Sequence, residues 1–367
     1  MKGFISILAL LLAIGFTSRL HADPTTNATG LSAIRQIKTV FIIALENHDW
    51  TQRNPQGRPQ QIFGNPAAPY VNSLTTAGNP NAAQVSYATK YYNAARGLHP
   101  SEPNYIWSEA GTDFGVDTDK DPKVASHNLF HHVQHLSAQL TSAGIPWRVY
   151  QEDLEYCRAS TKSASGSGVP ANPYNGTTEF NYAVKHNPMA FFDDTQNKNV
   201  FPLTNLWTDL ANNNVGRYNW ITPDQYNEMH SSLPKGYVYH GVHYTGNQAG
   251  IAEGDNCLSI IVPKIMTSAA YQDHGVILVW VDETESTDET HTTLPFIVIS
   301  PLAKGNAYAS RLPYSHSSVL KTMDELFGLA FQTNAIPSKR LNAFGTGYNY
   351  VDGRSAIIND LRDFFAP

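Results

Sequence analysis

Two runs of apolar, β-forming residues along the chain each end at a pair of acidic or amide side chains. Val40–Leu45 is followed by Glu46–Asn47, and Val276–Val281 is followed by Asp282–Glu283. A continuous apolar run bounded by polar residues is typical of a strand buried on both faces of a sheet. Ligands of open α/β sheets bind beyond the carboxyl ends of the strands, so the pattern predicts both pairs on one rim.

Shorter runs and helical periodicities extend this pattern over most of the chain. Further strands are predicted at Trp147–Tyr150, Tyr218–Thr222 and Phe296–Ile299. Apolar residues recur at helical spacing over 129–140, 203–210 and 319–327, and the last segment begins near Ser317 and closes at Gly328. Strands that alternate with helices predict an α/β fold with a mostly parallel sheet covered by helices on both faces.

The amino-terminal segment, residues 1–22, is typical of a secretory signal peptide. Lys2 precedes a short apolar stretch, and Leu20-His21-Ala22 offers a cleavage site before Asp23. We therefore expect a secreted or periplasmic protein cleaved near Ala22, with an uncleaved membrane anchor as the alternative. The remainder, 23–367, is predicted to form a single domain in which the Ser- and Gly-rich stretch 159–176 is a surface loop.

Composition narrows the possible partners. The formal net charge is −6 with a pI near 6.1, which gives no electrostatic reason to expect nucleic-acid binding. Past the leader, no segment predicts stable membrane insertion, and nothing indicates the oligomeric state. Cys157 and Cys257 are the only cysteines, and a disulfide and two separate thiols remain equally open.

The two predicted rim pairs suggest a chemistry. Carboxylate and amide oxygens are hard ligands that suit a divalent cation of unspecified identity, and a bound cation attracts phosphate. The best candidate for a nucleophile is Ser101 in the segment His99–Tyr105, which we expect to be a proline-bounded loop. An ordinary turn serine is the alternative interpretation. Together the features predict a metal-dependent enzyme acting on a small phosphoester.

A cluster of histidines also invites a metal interpretation. The predicted helix over 129–140 places His127, His131, His132 and His135 near one another. Its apolar face is formed by leucine and valine, so we expect the histidines to lie on a solvated polar surface rather than to bind metal.

Seven short fragments follow one another along the chain, namely Glu46-Asn47-His48, 100–105, 185–188, Pro223-Asp224 with 227–230, Gly254-Asp255, 280–283 and 314–317. In this order they resemble the phosphoesterase family that joins bacterial phospholipases C to secreted acid phosphatases. The resemblance covers roughly 40–329 and implies an alkaline-phosphatase-like α/β fold.

The resemblance also implies roles for individual residues. Ser101 matches the nucleophile that contacts the metal, and the remaining metal ligands match Glu46, Asn47, Asp282 and Glu283. Three histidines match those that bind the phosphoryl group or protonate the leaving oxygen, namely His186, His230 and His316. A phosphoserine intermediate is implied.

Within the family, two branches differ at the nucleophile. The acid phosphatases use serine there and the phospholipases mostly use threonine, so Ser101 favours an acid phosphatase that hydrolyses phosphomonoesters. The chain also ends soon after the core, whereas many of the phospholipases carry additional C-terminal modules. A phospholipase C that cleaves lipid headgroup diesters is the alternative, and an inactive phosphate-binding relative is a remoter one.

Overall fold

The computed structural model describes residues 33–52, 60–156, 166–168, 172, 174–178, 180–285, 288–289, 291–336 and 358–367. The predicted signal peptide and Cys157 lie outside these ranges, so cleavage and disulfide formation stay predictions. The side chain of Cys257 is fully buried. Within the described residues, none of the helices has the length and apolar character needed to cross a membrane.

Eight strands form the central sheet in the order β12-β2-β11-β10-β1-β7-β3-β6. Two hairpins, β4–β5 and β8–β9, lie outside it. The strands in chain order are β1 Thr39–Leu45, β2 Val85–Ala88, β3 Trp147–Gln151, β4 Gly166–Gly168, β5 Phe180–Tyr182, β6 Val200–Pro202, β7 Tyr218–Thr222, β8 Tyr237–Tyr239, β9 Val242–Tyr244, β10 Gly275–Val281, β11 Phe296–Ile299 and β12 Tyr308–Ser310.

The predicted mostly parallel arrangement is confirmed. Only β11 runs against its neighbours in this sheet, since it pairs antiparallel with both β10 and β2. All seven residues of β1 and all seven of β10 are buried, which requires cover on both faces. All five strands expected from apolar runs are present, whereas the short strands at the sheet edges, β6 and β12, and β2 beside β12 lack a distinctive run.

Seven complete α-helices lie within the described residues, and six of them fall into two packed groups. In chain order they are α1 Pro69–Leu74, α2 Ser101–Ala110, α3 Leu136–Ser142, α4 Thr204–Ala211, α5 Asn247–Met266, α6 Ala269–Gln272 and α7 His316–Phe327. Helix α2 packs against α3 and α7, and α5 packs against α1 and α6. The predicted ends of α7 are confirmed, because Ser315 forms a capping box and Gly328 closes the helix in the left-handed conformation.

The helix expected over 129–140 is wrong in its first half. It begins only at Leu136, because His127 and His132 adopt positive φ angles that interrupt a helix. The solvated histidine surface is also wrong for His135, which is fully buried and lies between Glu109 and Asp194.

The segment expected to be a proline-bounded loop is the start of a helix. Ser101 is the first residue of α2, Pro100 caps it and Pro103 lies in its first turn. Proline is tolerated there because the first N–H groups of a helix have no intrahelical acceptor. Gly111 ends the helix in the left-handed conformation.

Candidate active site

The two strand-end pairs meet on one rim of the sheet. β1 and β10 are adjacent and parallel, with Leu45 paired to Val281, so Glu46 and Asp282 follow neighbouring positions. The backbone N–H of Asn47 donates to Asp282 Oδ1 at 3.2 Å. The shared rim predicted from the apolar runs is therefore confirmed.

Ser101 lies against this rim at the amino end of α2. Its hydroxyl donates to Glu46 Oε2 at 2.8 Å and lies 3.4 Å from Glu283 Oε1. Only 1% of Ser101 is exposed, so the hydroxyl is held inside the protein and not on a loop surface. The arrangement brings the candidate nucleophile and both strand ends together, although their roles stay predictions.

The next turn of α2 adds two contacts that the sequence analysis missed. Asn104 donates to Glu283 Oε2 at 3.2 Å, and the hydroxyl of Tyr105 donates to Glu46 Oε1. Residues three and four positions after Ser101 share its helix face. Interpreting the segment as a helix would have found both.

An aromatic cluster lies beneath the carboxylates. The rings of Tyr105, Trp220 and Trp280 pack edge to face, with centroids 5.2–5.9 Å apart. All are buried, so the floor of the site is apolar and excludes water from one side of Glu46.

His186 lies between two glutamates. Its Nδ1 is 2.6 Å from Glu228 Oε1, and its Nε2 is 3.3 Å from Glu46 Oε1. A histidine whose one ring nitrogen contacts a carboxylate is oriented to present the other nitrogen to a ligand. Glu228 belongs to one of the seven sequence fragments, but nothing in the sequence indicated its contact with His186.

His230 lies beside His186, with ring centroids 5.7 Å apart. Lys185 Nζ is 3.3 Å from His230 Nε2 and 2.9 Å from Asp119 Oδ2. Burial, together with the charge of Lys185, lowers the pKa of His230 to about 4.

His316 is held from two sides at the start of α7. Its Nδ1 accepts from the indole N–H of Trp280 at 2.9 Å, and its Nε2 donates to the backbone carbonyl of Asp282. The side chain is fully buried. These contacts suit His316 to holding the end of β10, and its predicted contact with the phosphoryl group is not tested by them.

His99 connects the segment before Ser101 to a second loop. Its Nδ1 contacts Glu283, and its Nε2 is 3.1 Å from Asp288 Oδ1. Burial alone would lower the pKa of His99, but the hydrogen bonds with Asp288 and Glu283 outweigh it and raise the pKa to about 10. Glu283 is thereby fixed by His99 on one side and Asn104 on the other.

The carboxylates of the site are difficult to ionise while they lie together. Burial raises the pKa of Glu46 well above its usual value, and the charge of Asp282 raises it further. Burial and the charge of Glu283 act in the same direction on the pKa of Asp282. Burial also raises the pKa of Glu283 to about 7, although the contact with His99 partly offsets this effect. A cation shared by these oxygens would favour their charged forms.

The residues fit a divalent cation. Asn47 Oδ1 and Asp282 Oδ2 are buried without a hydrogen-bond partner, and hard oxygens of this kind are what such an ion binds. The predicted set of Glu46, Asn47, Ser101, Asp282 and Glu283 includes both atoms.

A second candidate metal group shares Glu46 with this set. Ligand atoms of Glu46, His186 and Glu228 all lie within 4.8 Å of one another. The buried glutamate–histidine–glutamate group could also bind a metal.

Three relatives of known name share limited identity with the chain. A phosphate-repressible acid phosphatase of Penicillium chrysogenum is 23% identical over 243 residues, which is 63% of this chain and 50% of the relative. A phosphatidylinositol-3-phosphatase of Mycobacterium tuberculosis is 23% identical over 336 residues, or 91% of this chain and 92% of the relative. An acid phosphatase of Aspergillus fumigatus is 28% identical over 156 residues, covering 41% and 31% of the two chains. This chain thus spans half the length of the Penicillium relative and less than a third of the Aspergillus one.

Solved structures support the fold. The PsFucS1 sulfatase from Pseudoalteromonas sp. covers 94% of this chain, and 80% of its own chain is matched, with a TM-score of 0.52 and 10% identity. A Vibrio parahaemolyticus protein of the alkaline phosphatase superfamily covers 84% of this chain, with 76% of its own chain matched, at a TM-score of 0.47 and 10% identity. The sulfatase match supports the expected α/β fold, and no chemistry is inferred from structures this distant.

The sequence profile of the Phosphoesterase family matches residues 50–330, which is most of the chain. This match supports the predicted hydrolysis of phosphoric ester bonds. The protein belongs to the Phosphoesterase family.

Proposed function

We propose that the protein is a secreted, metal-dependent acid phosphatase that hydrolyses phosphomonoesters through a phosphoserine on Ser101. The observation that carries the proposal is the position of the Ser101 hydroxyl, 2.8 Å from Glu46 Oε2 at the amino end of α2. Serine is a poor nucleophile unless a base or a cation activates it, and here a buried carboxylate is in reach of its proton.

In the proposed reaction, Ser101 Oγ attacks phosphorus and its proton passes to Glu46. The positive end of the α2 helix dipole favours negative charge on the phosphoryl oxygens. His186 and His230 bind these oxygens, and the negative charge of the bound phosphate favours their protonated forms. One of them then gives a proton to the departing alcohol, and water releases phosphate from the serine. A divalent cation held by Glu46, Asn47, Ser101, Asp282 and Glu283 would supply Lewis-acid stabilisation of developing negative charge.

Phosphomonoesters rank before diesters for two reasons. Ser101 occupies the position at which the acid phosphatases of the family carry serine, and the three relatives reported above are named as phosphatases. A phospholipase C remains the second candidate. A non-catalytic phosphate-binding protein fits less well, because such a protein would need no serine among buried carboxylates.

Secretion is the part of the proposal that depends on residues 1–22. The leader pattern predicts removal near Ala22. Amino-terminal sequencing of the protein recovered from outside the cytoplasm should begin close to Asp23. Recovery of the full-length chain in the membrane fraction would contradict cleavage.

A substrate panel tests the catalytic part. The purified protein is assayed between pH 4 and 8 with nitrophenyl phosphate, bis(nitrophenyl) phosphate and a phosphocholine diester, before and after chelation. We expect kcat/KM for the monoester to exceed that for either diester at least tenfold, which needs only about 1.4 kcal/mol of differential transition-state binding. A diester that is the better substrate would replace the phosphatase with the phospholipase, and full activity after exhaustive chelation would refute the metal requirement.

A further inference from the structure

Lys185 lies between the nucleophile and a pocket histidine. It precedes His186 in the short helical turn Val184–His186, and 14% of its side chain is exposed. Its ammonium contacts Asp119 Oδ2 at 2.9 Å and His230 Nε2 at 3.3 Å. The other oxygen of Asp119 accepts the backbone N–H of Glu102, at 3.1 Å. Lys185 is therefore connected through Asp119 to the residue that follows Ser101.

The charge of Lys185 acts on the acidic groups around it. Its positive charge opposes the elevated pKa values of Glu46, Glu228 and Glu102, which burial raises. An ammonium group has three N–H donors, and Asp119 and His230 account for two. The partial exposure of the side chain leaves the third donor a path to a ligand.

A phosphomonoester and a phosphodiester offer such a donor different numbers of non-bridging oxygens and different negative charges. A monoester has three non-bridging oxygens and carries close to two negative charges above its second pKa near 6. A diester has two such oxygens and a single charge. A positive donor beside the nucleophile therefore gains more from the monoester.

We propose that Lys185 is a specificity-determining residue that donates a hydrogen bond to a non-bridging phosphoryl oxygen of dianionic substrates and so favours monoesters over diesters. The inference rests on the proposed attack of Ser101 on phosphorus. Asp119 holds the ammonium in place from the side of α2, and His230 holds it from the other side. A purely structural Lys185–Asp119 ion pair would affect all substrates equally.

The test compares Lys185→Met with a matched control, Lys304→Met. Lys304 is also partly buried and pairs with Asp363 at 2.8 Å, beside β12 and away from the candidate site. We expect Lys185→Met to lower kcat/KM for nitrophenyl phosphate about 10- to 100-fold and that for bis(nitrophenyl) phosphate less than about threefold. Lys304→Met should leave both unchanged, and Lys185→Arg should keep part of the monoester preference.

Equal losses on the two substrates, or no loss on the monoester, would overturn the inference. Binding of inorganic phosphate, measured by calorimetry on the wild type and on Lys185→Met, separates this failure from a failure of the proposed function. Should the wild type prefer diesters, the phosphatase proposal fails. The inference then stands if Lys185→Met weakens phosphate binding at least about tenfold at pH 7.5 and falls if the two proteins bind phosphate equally.

Discussion

Replacing Ser101 with alanine removes one oxygen from the centre of the candidate site. The lost hydroxyl donates to Glu46 Oε2 at 2.8 Å and lies 3.4 Å from Glu283 Oε1. No backbone bond depends on it, because α2 is capped at Pro100 without a side-chain hydrogen bond. The substitution therefore separates the chemical role of Ser101 from its structural one.

The expected effect of Ser101→Ala on stability is small, and its expected effect on catalysis is large. One hydrogen bond to a carboxylate contributes about 1.5–3 kcal/mol, and alanine is the better helix former, so the melting temperature should change by only a few degrees. Loss of an attacking atom should lower kcat by roughly 10⁴-fold or more, which is about 5.5 kcal/mol or more of barrier. Catalysis should thus vanish in a protein that still folds.

Ser108→Ala is the matched control. Ser108 lies on the same helix, is largely buried, and donates to the Tyr105 carbonyl at 2.7 Å rather than to the rim. Its variant should retain full hydrolysis of nitrophenyl phosphate. An acid quench of the wild type during turnover, followed by mass spectrometry, should place phosphate on Ser101. Full activity in folded Ser101→Ala, or phosphate on another residue, would refute the assignment.

Two further predictions concern groups around Ser101, and a third concerns the start of β10. Asp282→Asn should weaken binding of a divalent cation and lower activity at least about 100-fold, with partial recovery in excess cation, whereas Asp273→Asn at the surface should have no effect in the same metal titration. Glu228→Gln should lower kcat about 10- to 100-fold with little change in KM in steady-state kinetics, because it loosens the orientation of His186; an unchanged kcat would exclude that role. Gly275→Ala should destabilise the fold by about 1–3 kcal/mol in thermal unfolding, since its Cβ would lie 2.5 Å from the Cα of Tyr271.

The central strands of the sheet were predictable because each of them is a mostly apolar run of residues. Strands buried on both faces favour apolar side chains, and 296–299, which is apolar throughout, and 218–222, in which only Asn219 and Thr222 are polar, were located to the residue on that basis. The short strands at or beside the sheet edges carry mixed side chains and pair through only three residues, so no local pattern distinguishes them.

The errors concern the beginnings of helices. Two prolines near Ser101 suggested a loop, although the first turn of a helix accommodates proline without loss of a hydrogen bond. Helical spacing over 129–140 suggested a longer helix, although left-handed φ angles at His127 and His132 delay its start. In both places the backbone conformation, and not the pattern of side chains, determines where the helix begins.

The partners of the site residues were beyond sequence reasoning because they come from distant loops. Lys185 and Asp119 are separated by 66 positions, and His99 and Asp288 by 189. The sequence resemblance gave order and residue type but no contacts. It therefore indicated His186 without Glu228, and Ser101 without the hydrogen bonds that hold Glu283.

The register of β1 against β10 is what joins two strand ends into one site. A shift of one residue would turn each side chain to the opposite face of the sheet, and strands that are apolar on both faces specify register only weakly through their side chains. Hydrogen bonds at the rim add the specificity that the side chains of the strands lack. Asn47 N–H donates to Asp282, Glu46 N–H donates to the Glu228 carbonyl, and His316 donates to the Asp282 carbonyl. The same contacts that place the carboxylates also fix the register, so a substitution at this rim acts on the sheet and on the chemistry together.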